Sequence, residues 1–592
     1  MSTAPTTSPA RASGRAGTTG AEVLVKQLEN YGVEVIFGLC GHTNITVLDA
    51  LSRSRIDFIT ARHEQAAAHM ADGYARMTGK PGVVLVHLGP GMMNAITGVA
   101  TAALDSVPMV VFAGDIPSYY HGRHPHQEVN LHADASQWEI YRPFTKRAWR
   151  VDRIDDLPRL TERAFWTARS GRPGAVLVDV PMDMWSRPLD AGLADRYPCP
   201  AQAYGPALPA GVAEEVVSRL ASARRPLLFV GGGVRQPGVR EKVVLLAERL
   251  GIPIAHSLMA KGAIPDNHPL VMGMTGFWGT ELANSYAREA DTVLALATRF
   301  AETDSSSWDE RFMWQVPGTQ LIHIDIDADE IGRNFPVSLG AVADIRHAAG
   351  QLAAAAEAAP QREWSDLGRT IARARDEIWA QTAQRGRLDD FPLKPERILE
   401  DLRRTVPSNT VFVTDVGWNK NGVAQRYLLP PDGVFLTPGG LATMGFGPAA
   451  ALGAKYADPS RPVVALIGDG AMGSQLSAVP TAVEQGLKVI WVVMNNCAFG
   501  TIADLEKSHY QVQYGTVFEG PEGDPYTPDF AAFARSCGAW GTRVESAGAL
   551  TSVLQEALGA EAPALVDVPM VNDPVPTPGH WNINDIFQGR FE

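Results

Sequence analysis

The sequence predicts an α/β protein made of three doubly wound parallel-sheet domains, and three observations carry that expectation. Short β-branched runs alternate with stretches of helical periodicity along nearly the whole chain, as in "AEVLVKQLENYGVEVIFGL". The runs are apolar on both faces ("PLLFV", "VVALIG"), as strands covered by helices on either side must be. Two strand–turn–helix–strand units also keep register when 379 is added to the residue number. Gly89-Pro90-Gly91 then falls on Gly468-Asp469-Gly470, Val84-Leu85-Val86 on Val463-Val464-Ala465, and Val110-Val111-Phe112 on Val489-Ile490-Trp491. The first and third blocks read as diverged copies of one unit.

Composition narrows the function classes. A chain of 592 residues holds several domains with large cores. Apolar content of 45% and charged content of 20% are ordinary for a globular protein. The net charge of −13 argues against a nucleic-acid partner, which would want a basic face. Anionic small ligands are still admitted, because backbone N–H groups and a metal can hold phosphates. The four cysteines (Cys40, Cys199, Cys497, Cys537) form no C-x-x-C pair. That fits a reducing, cytoplasmic setting and leaves no disulfide framework or zinc site. No apolar run approaches the roughly 18 residues of a membrane span.

In chain order, residues 1–20 ("MSTAPTTSPARASGRAGTTG") read as a disordered tail, a transit peptide being the minority reading. The first block spans 21–190, and the Pro-rich 191–210 is a linker. The second block spans 211–360, from "RRPLLFVGGGV" through "TQLIHIDIDADEIG". Residues 361–390 form a charged, alanine-rich surface helix. The third block spans 391–571, and 572–592 ("…GHWNINDIFQGRFE") is a tail or a lid.

The third block carries the chemistry. "VVALIGDGAMGSQLSAVPTAVEQGLKVIWVVMNNCAFG" reads as strand, Gly-Asp-Gly turn, helix, second strand, and two asparagines. Between Gly470 and Asn496 lie 25 residues, enough for one helix and one strand, so Asn496 returns to the edge where Asp469 sits. Gly468 and Gly470 admit a phosphate close to the backbone, and Asp469 offers a hard anionic oxygen. An Asp carboxylate, an Asn carbonyl and a backbone carbonyl suit octahedral Mg²⁺ completed by phosphate oxygens. The first block has Pro90 where Asp469 stands, so only the third offers a metal ligand at this turn.

On these residues the chain resembles the thiamine-diphosphate-dependent enzymes, whose diphosphate motif begins G-D-G and ends N-N at this spacing. The branch is that of acetolactate synthase, benzaldehyde lyase and pyruvate oxidase, and the resemblance runs from about Ala21 to Val571. It implies pyrimidine-binding, central and diphosphate-binding domains. It also implies a homodimer or homotetramer with active sites between subunits.

The resemblance further implies individual roles. Glu64, in "ARHEQAAAHMADGYAR", would contact the aminopyrimidine and drive its imino tautomer. In "PGGLATMGFGPAAALGA", Met444 would support the bent cofactor and the Ala442 carbonyl would accept from its exocyclic amine; relatives often have Gly at Ala442. Mg²⁺ would be held by Asp469, Asn496 and the Ala498 main-chain oxygen, and the diphosphate by the backbone of Gly470, Ala471 and Met472. His42, in "GLCGHTN", is a candidate acid/base or hydrogen-bond donor, the alternative being a loop histidine satisfied by backbone. Gln127, in "HPHQEVN", would lie near the reacting carbonyl. Lys146 reads as structural, and Cys497 as a small pocket wall rather than a nucleophile.

In the central block, "LMAKGAIP" and "GMTGFWGTELAN" resemble the flavin-binding version of the domain, but "ATRFAETDSSSW" departs from it. FAD, the ADP or CoA moiety of a ligand, or nothing would occupy that cleft. The implied function is a C–C lyase or carboligase on a 2-oxo acid or 2-hydroxy carbonyl, a small-molecule donor. The alternatives are a 2-hydroxyacyl-CoA lyase, a cyclic-dione hydrolase, or an inactive cofactor-binding regulatory scaffold. "CAFGTIADLEK" departs from the acetolactate synthase pattern, and His42, Phe499 and Trp581 would narrow the pocket. Slow or absent acetolactate formation is therefore expected.

Overall fold

The computed structural model describes residues 17–129 and 136–572. The chain forms three six-stranded sheets, parallel throughout. The first holds β1 (Val35–Gly38), β2 (Asp57–Thr60), β3 (Gly82–Val86), β4 (Met109–Asp115), β5 (Arg147–Arg150) and β6 (Ala175–Pro181). The central sheet holds β7 (Pro226–Val230), β8 (Ile254–His256), β9 (Val271–Met274), β10 (Thr292–Leu296), β11 (Gln320–Asp325) and β12 (Leu339–Val342). The third holds β13 (Val411–Thr414), β14 (Val434–Leu436), β15 (Val463–Gly468), β16 (Ile490–Asn495), β17 (Trp540–Arg543) and β18 (Ala564–Pro569). Strands β3, β4, β6, β7 and β10 are buried along their whole length, because helices cover both faces.

The internal repeat is visible in the topology. The first sheet runs β2-β1-β3-β4-β6-β5 and the third β14-β13-β15-β16-β18-β17, the same order twelve strands later. The central sheet, read from its other edge, runs β9-β8-β7-β10-β11-β12, which is the 3-2-1-4-5-6 order of dinucleotide-binding folds.

Regular structure begins before residue 20. Thr19 caps the helix Gly20–Asn30 in a reciprocal capping box with Glu22. The rest of the expected tail, residues 1–16, lies outside the described residues, as does the stretch from 573 with Trp581. The helix Glu64–Thr78 packs directly on the helix Phe446–Ala457, so the first and third sheets share one core. At the crossing, a Cβ on Gly73 would stand 2.2 Å from the Ala450 carbonyl oxygen, and one on Gly453 would stand 1.8 Å from that of Met70. Only glycine lets these backbones touch. Among the described residues no helix is long and apolar enough to cross a membrane.

Candidate active site

In doubly wound sheets ligands bind beyond the carboxyl ends of the strands, where the strand order reverses. That point falls between β13 and β15 in the third sheet, β1 and β3 in the first, and β7 and β10 in the central one.

At the β13/β15 reversal, Asp469 follows β15 directly and is 2% exposed. Its Oδ2 has no hydrogen-bond partner. Burial pushes the carboxyl up to about 7, against the opposing pull of the surrounding backbone amides. Asn496 follows β16 and places its Oδ1 3.1 Å from Asp469 Oδ1 and 3.1 Å from the Ala498 main-chain oxygen. Its Nδ2 donates to Asn572 Oδ1 at 3.0 Å. In this orientation of the amide three oxygens converge. Turned over, the amide would donate to both neighbours and close the group without an ion; as placed, it leaves a cage for a cation. Adjacent oxygens around octahedral Mg²⁺, at roughly 2.1 Å from the metal, lie roughly 3.0 Å apart. The residues fit that ion. No cluster of three or more His, Cys, Asp or Glu able to hold a metal occurs among the described residues. One carboxylate and two neutral oxygens would hold the cation, leaving positions for ligand phosphates.

The surrounding chain builds this group. Asn495 donates from Nδ2 to Asp567 Oδ1 at 2.8 Å and to Thr527 Oγ1 at 3.0 Å, and Asp567 pairs with Arg543. The first asparagine therefore anchors the strand and the second faces Asp469. Cys497 takes a left-handed φ of 54°, which folds the Ala498 carbonyl back toward Asn496. Burial and the nearby Asp469 raise the Cys497 thiol above its ordinary value, so it stays protonated.

Of the two glycines expected to admit a phosphate, Gly468 is open: a Cβ there would meet only Asn419 Nδ2, at 3.9 Å. Gly470 has a different reason to be glycine, since a Cβ would stand 2.7 Å from the Phe499 ring. Phe499 in turn packs edge-on against Phe518, ring centroids 4.8 Å apart. Gly470, Ala471 and Met472 form the start of the short helix Asp469–Ser474.

The segment before Phe446 is held by Asp415. This fully buried carboxylate accepts from Val416 N (2.8 Å), Gly447 N (2.7 Å) and Gly445 N (3.3 Å), and burial pushes it up to about 6. Ala442 there has φ 53°, and Met444 is 41% exposed. Gln65 Nε2 donates to the Met444 carbonyl at 3.4 Å, bringing the start of the helix Glu64–Thr78 beside it. Glu64, first in that helix, is 5% exposed and accepts from Asn94 Nδ2 at 3.0 Å. Among the described residues no hydrogen bond or ion pair joins Glu64 to the Asp469–Asn496 group.

At the β1/β3 reversal, the structure brings His42 and Gln127 together through a residue that sequence reasoning missed. His87 Nε2 lies 2.9 Å from Gln127 Oε1, and its Nδ1 lies 2.8 Å from Thr43 Oγ1. The His42 ring stands edge-on to His87 at 4.6 Å and stacks near His126 at 6.3 Å. Burial, then these two imidazoles, lower the His42 pKa from 6.5. A signal for His87 existed: adding 379 places it on Leu466, a fully buried strand residue. Asn94, within the "GPGMMNAITG" loop, and Asp415 were also missed. Lys146 donates to the carbonyls of Thr167 and Ser170 at the end of the helix Leu157–Arg169, a capping role.

At the central reversal, Gly231 and Gly233 lie against Ala297; a Cβ on Gly231 would stand 2.0 Å from its carbonyl oxygen. In the divergent "ATRFAETDSSSW" segment, Phe300, Ser306, Ser307 and Trp308 all have positive φ. The Ser305 and Ser306 hydroxyls are buried without partners.

Comparison with known proteins gives three domain-level matches. Residues 18–136 match the thiamine pyrophosphate enzyme N-terminal TPP binding domain, 213–352 the central domain, and 415–568 the C-terminal TPP binding domain. The chain is 34% identical to a probable acetolactate synthase large subunit of Methanocaldococcus jannaschii, over 93% of this chain and 91% of that protein. It is 33% identical to the acetolactate synthase large subunit of Haemophilus influenzae, over 91% and 92%. The same figures hold for acetolactate synthase isozyme 3 large subunit of Escherichia coli.

Proposed function

Because this chain belongs to the thiamine pyrophosphate enzymes, in their acetolactate synthase branch, we propose that it is a Mg²⁺-dependent lyase or carboligase acting on a 2-oxo acid or 2-hydroxy carbonyl donor. The observation that carries the reading is that the Asn496 side-chain amide meets Asp469 Oδ1 and the Ala498 main-chain oxygen, each at 3.1 Å, beside the open backbone of Gly468. Those three oxygens would hold Mg²⁺ against the diphosphate, with Gly470, Ala471 and Met472 presenting main-chain groups to it. Ala442 would accept from the exocyclic amine through its carbonyl, and Met444, exposed at the segment's edge, would support the bent cofactor. The cofactor, when bound, supplies the electron sink for the carbanion next to the carbonyl. Glu64 would present its carboxyl group to the aminopyrimidine in a nearly water-free setting, steadied by Asn94. Gln127 and His42 face the donor's oxygens. A subunit pairing that sets Glu64 of one copy against Asp469 of another completes the site, and a homodimer or homotetramer supplies it. A cytoplasmic location goes with this reading.

Donor choice follows from the rim at β1/β3. The relatives are named for acetolactate synthesis, and pyruvate is the first donor to try. The imidazoles of His42, His87 and His126 favour a second reading, cleavage of one donor followed by protonation, as with a 2-hydroxyacyl-CoA or a cyclic dione. With the acyl-CoA, the 3-2-1-4-5-6 central sheet would hold the ADP part of the ligand; FAD is the other occupant that topology suits. The test is a panel of pyruvate, 2-oxobutyrate, benzoylformate, benzoin, cyclohexane-1,2-dione and a 2-hydroxyacyl-CoA, read by product mass, with Glu64→Gln as control. Turnover of at least one donor is expected, with acetolactate from pyruvate slow, and a loss of at least ~10²-fold in the variant. Near-wild-type activity of Glu64→Gln would overturn the assignment of that carboxyl, and a wholly silent panel would favour a cofactor-binding scaffold.

A further inference from the structure

The hydrogen bonds around His87 determine its tautomer. The Thr43 backbone N–H, which can only donate, points at His87 Nδ1 at 3.5 Å, and Thr43 Oγ1 reaches the same nitrogen at 2.8 Å. Nδ1 is therefore an acceptor, and the neutral ring carries its proton on Nε2. That N–H donates to Gln127 Oε1 at 2.9 Å. The Gln127 amide is thereby fixed in one sense, with its oxygen turned inward and its NH₂ group outward. Among the described residues that NH₂ group has no partner, and Gln127 is exposed.

Three backbone features exist to keep this arrangement. A Cβ on Gly41 would stand 2.3 Å from His87 Cγ, so the loop after β1 closes over the imidazole only because residue 41 is glycine. A Cβ on Gly89 would stand 1.9 Å from the Gln127 carbonyl oxygen, so the Gln127 loop lies on the turn after β3 for the same reason. Gln127 itself is held at φ 66°, a left-handed conformation that costs a non-glycine residue free energy. Strain imposed on a polar, outward-facing residue at a strand-order reversal is where a ligand contact is expected.

We propose that His87 is the positioning residue of the substrate rim: held as its Nε2–H tautomer by Thr43, it aims the Gln127 NH₂ group, with His42 beside it, at an oxygen of the carbonyl donor. The proposal rests on the function proposed above. It assigns the donor a hydrogen-bond-accepting oxygen at or next to the reacting carbon, as a 2-oxo or 2-hydroxy acid has. Because the donating group is neutral, its contribution grows as negative charge develops on that oxygen.

The test uses the full-length enzyme loaded with thiamine diphosphate and Mg²⁺, with pyruvate as the probe donor. His87→Phe removes both hydrogen bonds, Gln127→Glu removes the donor, and His87→Gln supplies a side-chain amide able to take the place of Nε2–H. The first two should lose at least ~10-fold in kcat/KM with cofactor affinity unchanged, whereas His87→Gln should stay within about threefold of wild type. Full activity of His87→Phe would overturn the proposal, as would a loss in His87→Gln as large as in His87→Phe. A second measurement is independent of turnover. In enzyme labelled with ¹⁵N-histidine, long-range ¹H–¹⁵N correlations should show His87 protonated on Nε2, and Thr43→Val should release that preference. A wild-type His87 protonated on Nδ1 would overturn the proposal even if pyruvate is consumed. If no donor in the panel is turned over, the function reading fails while the tautomer assignment is still decided by this measurement.

Discussion

In the proposed site, Asp469 and Ala442 would contribute very different amounts of side chain to cofactor binding. Asp469 is the one carboxylate in the oxygen cage, with Oδ2 left without a partner. In Asp469→Ala the remaining two oxygens are neutral, and a divalent ion loses its charged ligand. Thiamine diphosphate affinity at fixed Mg²⁺ should fall more than ~10-fold by calorimetric titration. Unchanged affinity would mean that the metal sits elsewhere. In the proposed reading Ala442 has the opposite character, since only its backbone would be called upon. At φ 53° its methyl group costs roughly 1–2 kcal/mol, while glycine adds roughly 0.5–1 kcal/mol of chain entropy to the unfolded state. Ala442→Gly should therefore leave the thermal midpoint unchanged or raise it, by at most about 1.5 kcal/mol of stability. Cofactor affinity should hold. A lower midpoint would show that the methyl group makes a contact worth more than the strain.

The crossing of the helices Glu64–Thr78 and Phe446–Ala457 inverts the usual helix rule. Glycine inside a helix is ordinarily about 1 kcal/mol worse than alanine. Here a Cβ on Gly453 would stand 1.8 Å from the Met70 carbonyl oxygen, so the alanine must push two helices apart. Gly453→Ala should destabilise by about 1–3 kcal/mol, read as a lower urea midpoint. A midpoint that rises would show that the crossing yields without strain. This contact also marks where sequence reading stops. The strands, their parallel arrangement and the repeat at an offset of 379 were legible, because each rests on apolar periodicity within one segment. Asp469 and Asn496 were legible because one helix and one strand separate them. His87, Asn94 and Asp415 were missed, because most of their partners arrive from segments distant in sequence. Thr43 meets His87 because β1 lies beside β3, although 44 residues separate them.

At the scale of the whole molecule, one buried ionic group fastens the first sheet's domain to the segment that carries Ala442 and Met444. Arg76 pairs with Asp72 in its own helix and with Asp105 at 2.7 Å, and it donates to the Thr437 carbonyl at 2.9 Å. Asp105 also accepts from the backbone N–H groups of Gly439 and Gly440. The Arg76 side chain is 9% exposed, and both carboxylates are fully buried. Burial, the larger effect, raises the Asp72 pKa against the pull of Arg76. Removing the cation alone would leave two carboxylates in a low dielectric with only part of their hydrogen bonds, which typically costs about 3–5 kcal/mol. Arg76→Met should therefore lower the thermal midpoint by several degrees, at about 2–4 °C per kcal/mol for a cooperative unit of this size. It should also weaken thiamine diphosphate binding, because the Thr437–Met444 segment loses its anchor. Neutralising the acids as well, in Arg76→Met with Asp72→Asn and Asp105→Asn, should recover part of the midpoint, since no charge is then stranded. If the triple variant is as unstable as the single one, the loss comes from the packing of Arg76 over the Phe446 ring, 5.1 Å away, and not from its charge.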